Sequence, residues 1–135
     1  MKDGNLPRPR ILIADDEEDL LMLLEKVLSK EGYEVETLLN AENLIEQVRD
    51  HPPDILLLDI RMQGKNGGEL CKELKNDYQT KDIPIILFSA NDDIDEIARE
   101  CGADDCLVKP LNPVLARQKF RKVMRNADKT ILPEE

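Results

Sequence analysis

The stretch Pro53-Asp54-Ile55-Leu56-Leu57-Leu58-Asp59-Ile60-Arg61-Met62 decides the fold of this chain. Four large aliphatic residues, Ile55 to Leu58, follow one another without polar alternation, which predicts a strand with both faces buried. Such strands are typical of the interior of a parallel sheet that helices cover on both sides. The strand ends at Asp59, so this carboxylate is expected at the carboxyl edge of the sheet, where open α/β sheets bind their ligands.

Length and composition limit the class of protein. The 135 residues suit one domain, with 41% hydrophobic residues for a core and 36% charged residues for a soluble surface. No apolar run is long enough to span a membrane, and the first residues lack the apolar segment of a signal peptide, so we expect a cytoplasmic protein without membrane contact. The net charge of −10 makes nucleic acid a poor partner. Cys71, Cys101 and Cys106 show no metal-ligand or redox spacing and are expected to be buried thiols.

Strands and helices alternate five times along the chain. Apolar runs predict strands at residues 11–14, 83–88 and 106–108, and alternation at residues 33–37 predicts an edge strand with one exposed face. Asn40 is expected to cap the second helix. The apolar residues that follow each strand have helical spacing, and the five predicted stripes are Leu20, Leu24, Val27 and Leu28; Ala41, Leu44, Ile45 and Val48; Leu70, Cys71 and Leu74; Ile94, Ile97, Ala98 and Cys101; and Ala116, Phe120, Val123, Met124 and Ala127.

This alternation predicts a doubly wound, flavodoxin-like (βα)5 fold. Right-handed crossovers make the five-stranded sheet parallel and place helices on both faces. The most apolar strands belong inside the sheet, and the order 2-1-3-4-5 satisfies this requirement. We expect the domain to span residues 10–126, between an N-terminal arm at residues 1–9 and a C-terminal tail at residues 127–135.

Four of the predicted strands end in polar side chains: Asp15 and Asp16, Asp59, Ser89, and Lys109. In a parallel sheet these ends share one rim, and the predicted order brings the three carboxylates together. Two carboxylates about 5 Å apart repel by roughly 3 kcal/mol at an effective dielectric constant of about 20. Mg²⁺, which prefers carboxylate, water and phosphate oxygens, relieves that repulsion. An acid cluster with a lysine and a hydroxyl around one carboxylate therefore predicts a phosphoryl-transfer site.

Four motifs carry a resemblance to a known family: Ile-Leu-Ile-Ala-Asp-Asp-Glu (11–17), Asp-Ile-Leu-Leu-Leu-Asp-Ile-Arg-Met (54–62), Ile-Ile-Leu-Phe-Ser-Ala (85–90) and Gly-Ala-Asp-Asp-Cys-Leu-Val-Lys-Pro (102–110). In this order, on these strand ends, they resemble the receiver domains of two-component response regulators. The resemblance runs from about Arg10 to Arg125. Any one motif alone is weak, but the four together are highly specific.

The resemblance implies a role for each residue at the rim. Asp59 would accept a phosphoryl group from a phosphohistidine on a sensor histidine kinase or a histidine phosphotransfer protein. Asp15, Asp16, Asp59 and the backbone carbonyl of Arg61 would bind Mg²⁺. Ser89 would move toward the phosphoryl group, and Lys109, before a cis Pro110, would pair with it.

The same resemblance implies a signalling role for the whole chain. The protein would catalyse only its own phosphorylation and dephosphorylation, so it would not be an enzyme in the usual sense. Phosphorylation would switch a partner surface formed by the fourth helix, the fifth strand and the last helix, where a downstream protein would bind or two copies would pair as a homodimer. The length leaves no room for an output domain, which indicates a stand-alone regulator or a receiver excised from a longer one.

Three positions depart from the family pattern. Cys106 stands where an aromatic residue usually couples to the Ser/Thr movement, Gln63 stands where proline is common, and Leu111 replaces a common phenylalanine. They put the output mechanism in doubt rather than the phosphorylation. Arg61 and Asn91 lie where family members tune phosphoryl lifetime, although plain surface roles explain them equally well.

Other interpretations remain open at this stage. Singly, Asp15 or Asp16 could cap a helix, Ser89 could do the same, and Lys109 could be a solvated edge residue; their conjunction favours function. A phosphorylation-independent interaction module would keep the fold without using the site, as Cys106 would allow. A hydrolase of the aspartate-phosphatase type needs a second acid two residues after its nucleophile, where this chain has Arg61. A flavin carrier needs a Ser/Thr/Gly-rich loop after the first strand, where this chain has five acids.

Overall fold

The computed structural model describes residues 8–62, 65–90 and 93–127. The arm before residue 8, the tail after residue 127, and Gln63 and Asn91 lie outside the described residues. The division into arm, domain and tail therefore stays a prediction.

The chain forms a five-stranded parallel sheet and a short antiparallel hairpin. The sheet contains β1 (Arg10–Ala14), β2 (Glu34–Leu38), β3 (Ile55–Asp59), β6 (Ile85–Ser89) and β7 (Asp105–Val108), in the order β2-β1-β3-β6-β7. The hairpin pairs β4 (Arg61–Met62) with β5 (Lys65–Asn66) directly after β3. The helices are α1 (Glu18–Lys30), α2 (Leu44–Asp50), α3 (Gly67–Lys75), α4 (Ile94–Cys101) and α5 (Pro113–Ala127). The predicted fold and strand order are confirmed.

The sheet separates two apolar cores. β1, β3 and β6 are buried along their whole length, as their uninterrupted aliphatic runs predicted. Because successive side chains of a strand point to opposite faces, Leu56 and Leu58 pack with α2, α3 and α4, whereas Ile55 and Leu57 pack with α1 and α5. The second core includes Phe120, which is fully buried.

Local details differ from the sequence predictions at two places. α2 begins at Leu44 instead of directly after Asn40, because the Asn40 side chain accepts a hydrogen bond from the Glu42 amide (3.0 Å) and forms a turn there. The buried stripe of α1 is Leu21, Leu24 and Leu28, with Leu20 and Val27 only half-buried.

Two of the three cysteines are buried, as the sequence predicted. All three cysteines are free; Cys71 and Cys106 are buried and Cys101 is half-buried. The Lys109-Pro110 peptide is cis. Within the described part of the chain, none of the helices has both the length and the apolar character needed to cross a bilayer.

Candidate active site at the carboxyl edge of the sheet

Three carboxylates meet where β1 and β3 end. Ala14 and Leu58 are partners in the parallel register, so Asp15 and Asp59, which follow them, are neighbours at the rim. Asp15 is fully buried, Asp59 is 4% exposed and Asp16 is exposed. One oxygen from each of the three lies within 4.8 Å of the others. The predicted convergence of acids is thus present in the fold.

Backbone amides hold one oxygen of each buried carboxylate. Asp15 Oδ1 accepts a hydrogen bond from the Glu17 amide at 2.7 Å. Asp59 Oδ1 accepts one from the Arg61 amide at 3.3 Å. The second oxygen of each side chain is turned toward Lys109, which fixes both acids around a common centre.

Lys109 reaches this centre from the end of β7. Its amide donates to the Ser89 carbonyl at 2.8 Å, which ties the loop after β7 to the end of β6. Its ammonium lies 2.9 Å from Asp15 Oδ2, 3.0 Å from Glu17 Oε1 and 3.5 Å from Asp59 Oδ2. It also lies 4.9 Å from the centre of the Phe88 ring. The lysine is therefore held by Asp15, Glu17 and Asp59 before any phosphoryl group arrives.

The crowding changes the proton affinities of the two central groups. Burial raises the pKa of Asp59 to about 6, the charge of Asp15 adds to this, and Lys109 and the Arg61 amide oppose it. Burial alone would lower the pKa of Lys109, but hydrogen bonds to Asp15 and Glu17 and the charge of Asp59 raise it above the ordinary value. Lys109 thus stays cationic near neutral pH, while charging Asp59 costs free energy.

An open cavity of about 900 Å³ borders the acids and the lysine. Asp59, Ser89, Ala90 and Lys109 line one end, and apolar residues of α1 and of the start of α5 line the rest. Ser89 is 2% exposed at the end of β6. Each predicted side chain is therefore placed at the same rim, and Asp59 is reachable from outside.

The donor set suits a hard divalent cation. Three carboxylates converge, two of them buried, and carboxylate oxygens are the protein ligands that Mg²⁺ prefers. The exposed side chain of Asp16 leaves room for the water molecules that Mg²⁺ usually retains. Asp15, Asp16 and Asp59 are hence the residues that could hold the metal.

Two residues at the site were not assigned a role from the sequence. Glu17 forms an ion pair with Lys109, a contact that no sequence pattern predicts. Gly67 packs so tightly that a Cβ there would lie 2.0 Å from the Asp59 carbonyl oxygen. The Gly67 amide also donates to the Ile60 carbonyl at 2.7 Å. The sequence signal for this contact is the group of glycines at positions 64, 67 and 68, but such a group by itself indicates only a loop.

Cys106 makes polar contacts with the two helices that flank β7. Its thiol donates to Asp95 Oδ1 of α4 at 2.8 Å, and Lys119 Nζ of α5 donates to its carbonyl at 2.6 Å. Burial and the hydrogen bond to Asp95 raise the pKa of the thiol to about 11, so it stays protonated and can donate. β7 is thereby linked to both neighbouring helices by polar contacts.

Comparison with known proteins defines the family. The family model described as response regulator receiver domain matches residues 11–121. Response regulator GtcR of Aneurinibacillus migulanus is 38% identical over 127 residues, which cover 93% of this chain and 51% of that protein. The phosphate regulon transcriptional regulatory protein PhoB of Rhizobium meliloti (strain 1021) is 34% identical, over 92% of this chain and 56% of that protein.

A solved structure supports the same fold. The CheY-like response regulator receiver domain protein of Methanospirillum hungatei JF-1 superposes with a TM-score of 0.84 at 24% identity, over 93% of this chain and all of that one.

The doubly wound sheet with its acid-lined rim is the architecture of a signalling receiver. The chain belongs to the response regulator receiver domain family. It spans about half the length of the curated relatives described above.

Proposed function

We propose that this receiver domain is switched by phosphorylation of Asp59. The observation that carries the proposal is the placement of Lys109 between Asp15 and Asp59, at 2.9 and 3.5 Å, beside a cavity that reaches Asp59. The cavity gives a phosphodonor a route to Asp59, and the Lys109 ammonium is already in position to pair with phosphoryl oxygens. Because buried ion pairs contribute little net stability, a lysine with a purely structural role would not require two buried acids beside it.

The reaction is a phosphoryl transfer from a phosphohistidine donor. An Asp59 carboxylate oxygen forms a bond to phosphorus while the P–N bond of the donor breaks. The bonding pair stays on the imidazole nitrogen. Because the second ring nitrogen of the donor carries a proton, the transfer leaves a neutral histidine on the donor and an acyl phosphate on Asp59. Lys109 pairs with the transferred oxygens, and Ser89 donates a hydrogen bond to one of them.

Mg²⁺ is the proposed cofactor. Asp15, Asp16, Asp59 and the backbone carbonyl of Arg61 would hold it. When bound, it offsets the negative charge that gathers between the acids and the phosphoryl group. The convergence of three carboxylate oxygens within 4.8 Å supports this assignment.

The proposed partners meet the molecule on different sides. A sensor histidine kinase or histidine phosphotransfer protein has to reach Asp59, and the cavity beside it opens between α1 and the start of α5. The downstream target, or a second copy in a homodimer, would read the face of α4, β7 and α5. The contacts of Cys106 with Asp95 and Lys119 lie on that face and would be rearranged when Ser89 and Lys109 move. We place this signalling in the cytoplasm and assign no turnover of an external substrate.

A mass measurement tests the proposal. The protein is incubated with Mg²⁺ and a small phosphodonor, and we expect the mass to rise by one phosphoryl group that is acid-stable and base-labile. Asp59→Asn should abolish the gain, whereas Asp54→Asn, at the opposite end of β3, should retain it. An unmodified mass at saturating donor would contradict the proposal and favour the phosphorylation-independent module.

A further inference from the structure

We infer that Glu17 is a positioning residue that holds Lys109 in a competing ion pair and so restrains phosphoryl capture at Asp59. This inference rests on the proposed function and adds a residue that tunes it. In the described structure the Lys109 ammonium is closer to Glu17 Oε1 (3.0 Å) than to Asp59 Oδ2 (3.5 Å). The lysine that is proposed to pair with the phosphoryl group on Asp59 therefore also forms an ion pair with Glu17.

The local backbone directs Glu17 to this role. Glu17 precedes α1 in extended conformation, with φ −98° and ψ 103°, and its side chain makes no capping hydrogen bond to the helix. Its amide is fixed by Asp15 Oδ1 at 2.7 Å, so Asp15 sets where the side chain starts. The carboxylate is thus free of helix capping and reaches across to the lysine after β7.

The two acids that compete for Lys109 differ in their environment. The Asp59 side chain is 5% exposed, whereas the Glu17 side chain is 61% exposed. Salt screens the attraction of an exposed acid far more than that of a buried one. The hold of Glu17 on Lys109 should consequently weaken as ionic strength rises, and the balance should shift toward Asp59.

Phosphorylation requires Lys109 to change partners. The transferred group brings further negative charge to Asp59, and the ammonium must move from Glu17 onto its oxygens. In Glu17→Gln the lysine keeps its ion pair with Asp15 but no longer has to leave Glu17, so capture should be faster. Because the variant also removes a negative charge near an anionic donor, charge and position must be separated experimentally.

Glu18→Gln provides the matched control. Glu18 is the next residue, is exposed, and forms no ion pair within the part of the chain that the structure describes. Glu18→Gln loses the same charge one position further along the chain. An effect of charge alone would appear in both variants, chiefly as a lower donor concentration at half-maximal rate. A positioning effect would appear in Glu17→Gln alone, as a higher maximal rate.

The test combines kinetics with a measurement on the metal-free protein. With acetyl phosphate and Mg²⁺, we expect the maximal phosphorylation rate of Glu17→Gln to exceed that of wild type and Glu18→Gln about three- to tenfold, with a smaller ratio at high salt. In the metal-free protein, the NMR signal of the Lys109 ammonium should shift in Glu17→Gln and stay unchanged in Glu18→Gln.

Equal maximal rates in the two variants, or a slower Glu17→Gln, would overturn the inference while leaving the proposed function intact. An unmodified wild-type protein would instead overturn the proposed function, and the role of Glu17 would fall with it. The two failures are thus distinguishable.

Discussion

Replacing Asp59 with asparagine should stabilise the metal-free protein, although it destroys the proposed phosphoacceptor. Asp59 is 4% exposed, and burial together with the charge of Asp15 raises its pKa from 3.8 to about 6. A shift of about 2 pH units corresponds to about 3 kcal/mol of unfavourable ionisation in the folded state. The amide keeps the acceptor for the Arg61 N–H, but its own N–H₂ needs partners and reduces the net gain to about 1–2 kcal/mol.

The gain should depend on pH in a defined direction. A folded-state pKa above the unfolded value means that the folded protein binds the proton more tightly, so wild-type stability falls as pH rises between the two values. Asp59→Asn lacks this loss. The gain in unfolding free energy of the variant over wild type should be full above pH 6, shrink as the pH falls below 6, and vanish near pH 4.

Urea denaturation and thermal melting in EDTA, both followed by circular dichroism because the chain has no tryptophan, measure this effect. The melting temperature of Asp59→Asn should rise by about 4–8 °C at pH 7.5. Mg²⁺ should narrow the gap, since it binds the folded wild type and the variant has lost a ligand. Asp16→Asn is the control: its exposed charge is screened, and its stability should change by no more than about 0.5 kcal/mol. Unchanged or lower stability of Asp59→Asn at pH 7.5, or a gain independent of pH, would refute the reasoning.

Three further substitutions test local packing and hydrogen bonding. Gly67→Ala should lower the unfolding free energy, measured in urea, by about 2–3 kcal/mol, because the new Cβ would lie 2.0 Å from a backbone oxygen. A loss below about 0.5 kcal/mol would contradict the tight contact. Gly102→Ala has room for the methyl group but a φ of +81°, so it should cost only about 1 kcal/mol, and a loss as large as that of Gly67→Ala would argue against this ordering. Cys106→Val removes the hydrogen bond to exposed Asp95 and should cost about 1 kcal/mol or less; a larger loss would mean that this bond holds α4 in place.

The sheet and its rim could be predicted because their signals are local. Unbroken aliphatic runs identify buried strands, and a polar residue directly after each run identifies the edge where it lies. Asp15 and Asp59 could be brought together from sequence because their strands, β1 and β3, are neighbours in the predicted order. Lys109 follows a strand that is not a neighbour of β3, so the order placed it only on the same rim. The resemblance to receivers added their roles.

Other features depend on contacts that no local pattern encodes. The β4–β5 hairpin consists of two-residue strands without any periodicity. Asn40 suits a helix cap and a turn equally well, and the turn is formed. The pairing of Glu17 with Lys109 joins residues 92 positions apart, and it arises from the exact path of the chain before α1.

The sheet is also a partition. Among the residues that the structure describes, the layer beneath α1 and α5 and the layer beneath α2, α3 and α4 share no buried side chain. Both layers nevertheless end at the same few polar residues of the rim. A substitution that loosens one layer can leave the other well packed. Residues that face the phosphodonor and residues that face the target could accordingly change independently in evolution. A lineage could acquire a new binding partner on one side and keep its partner on the other.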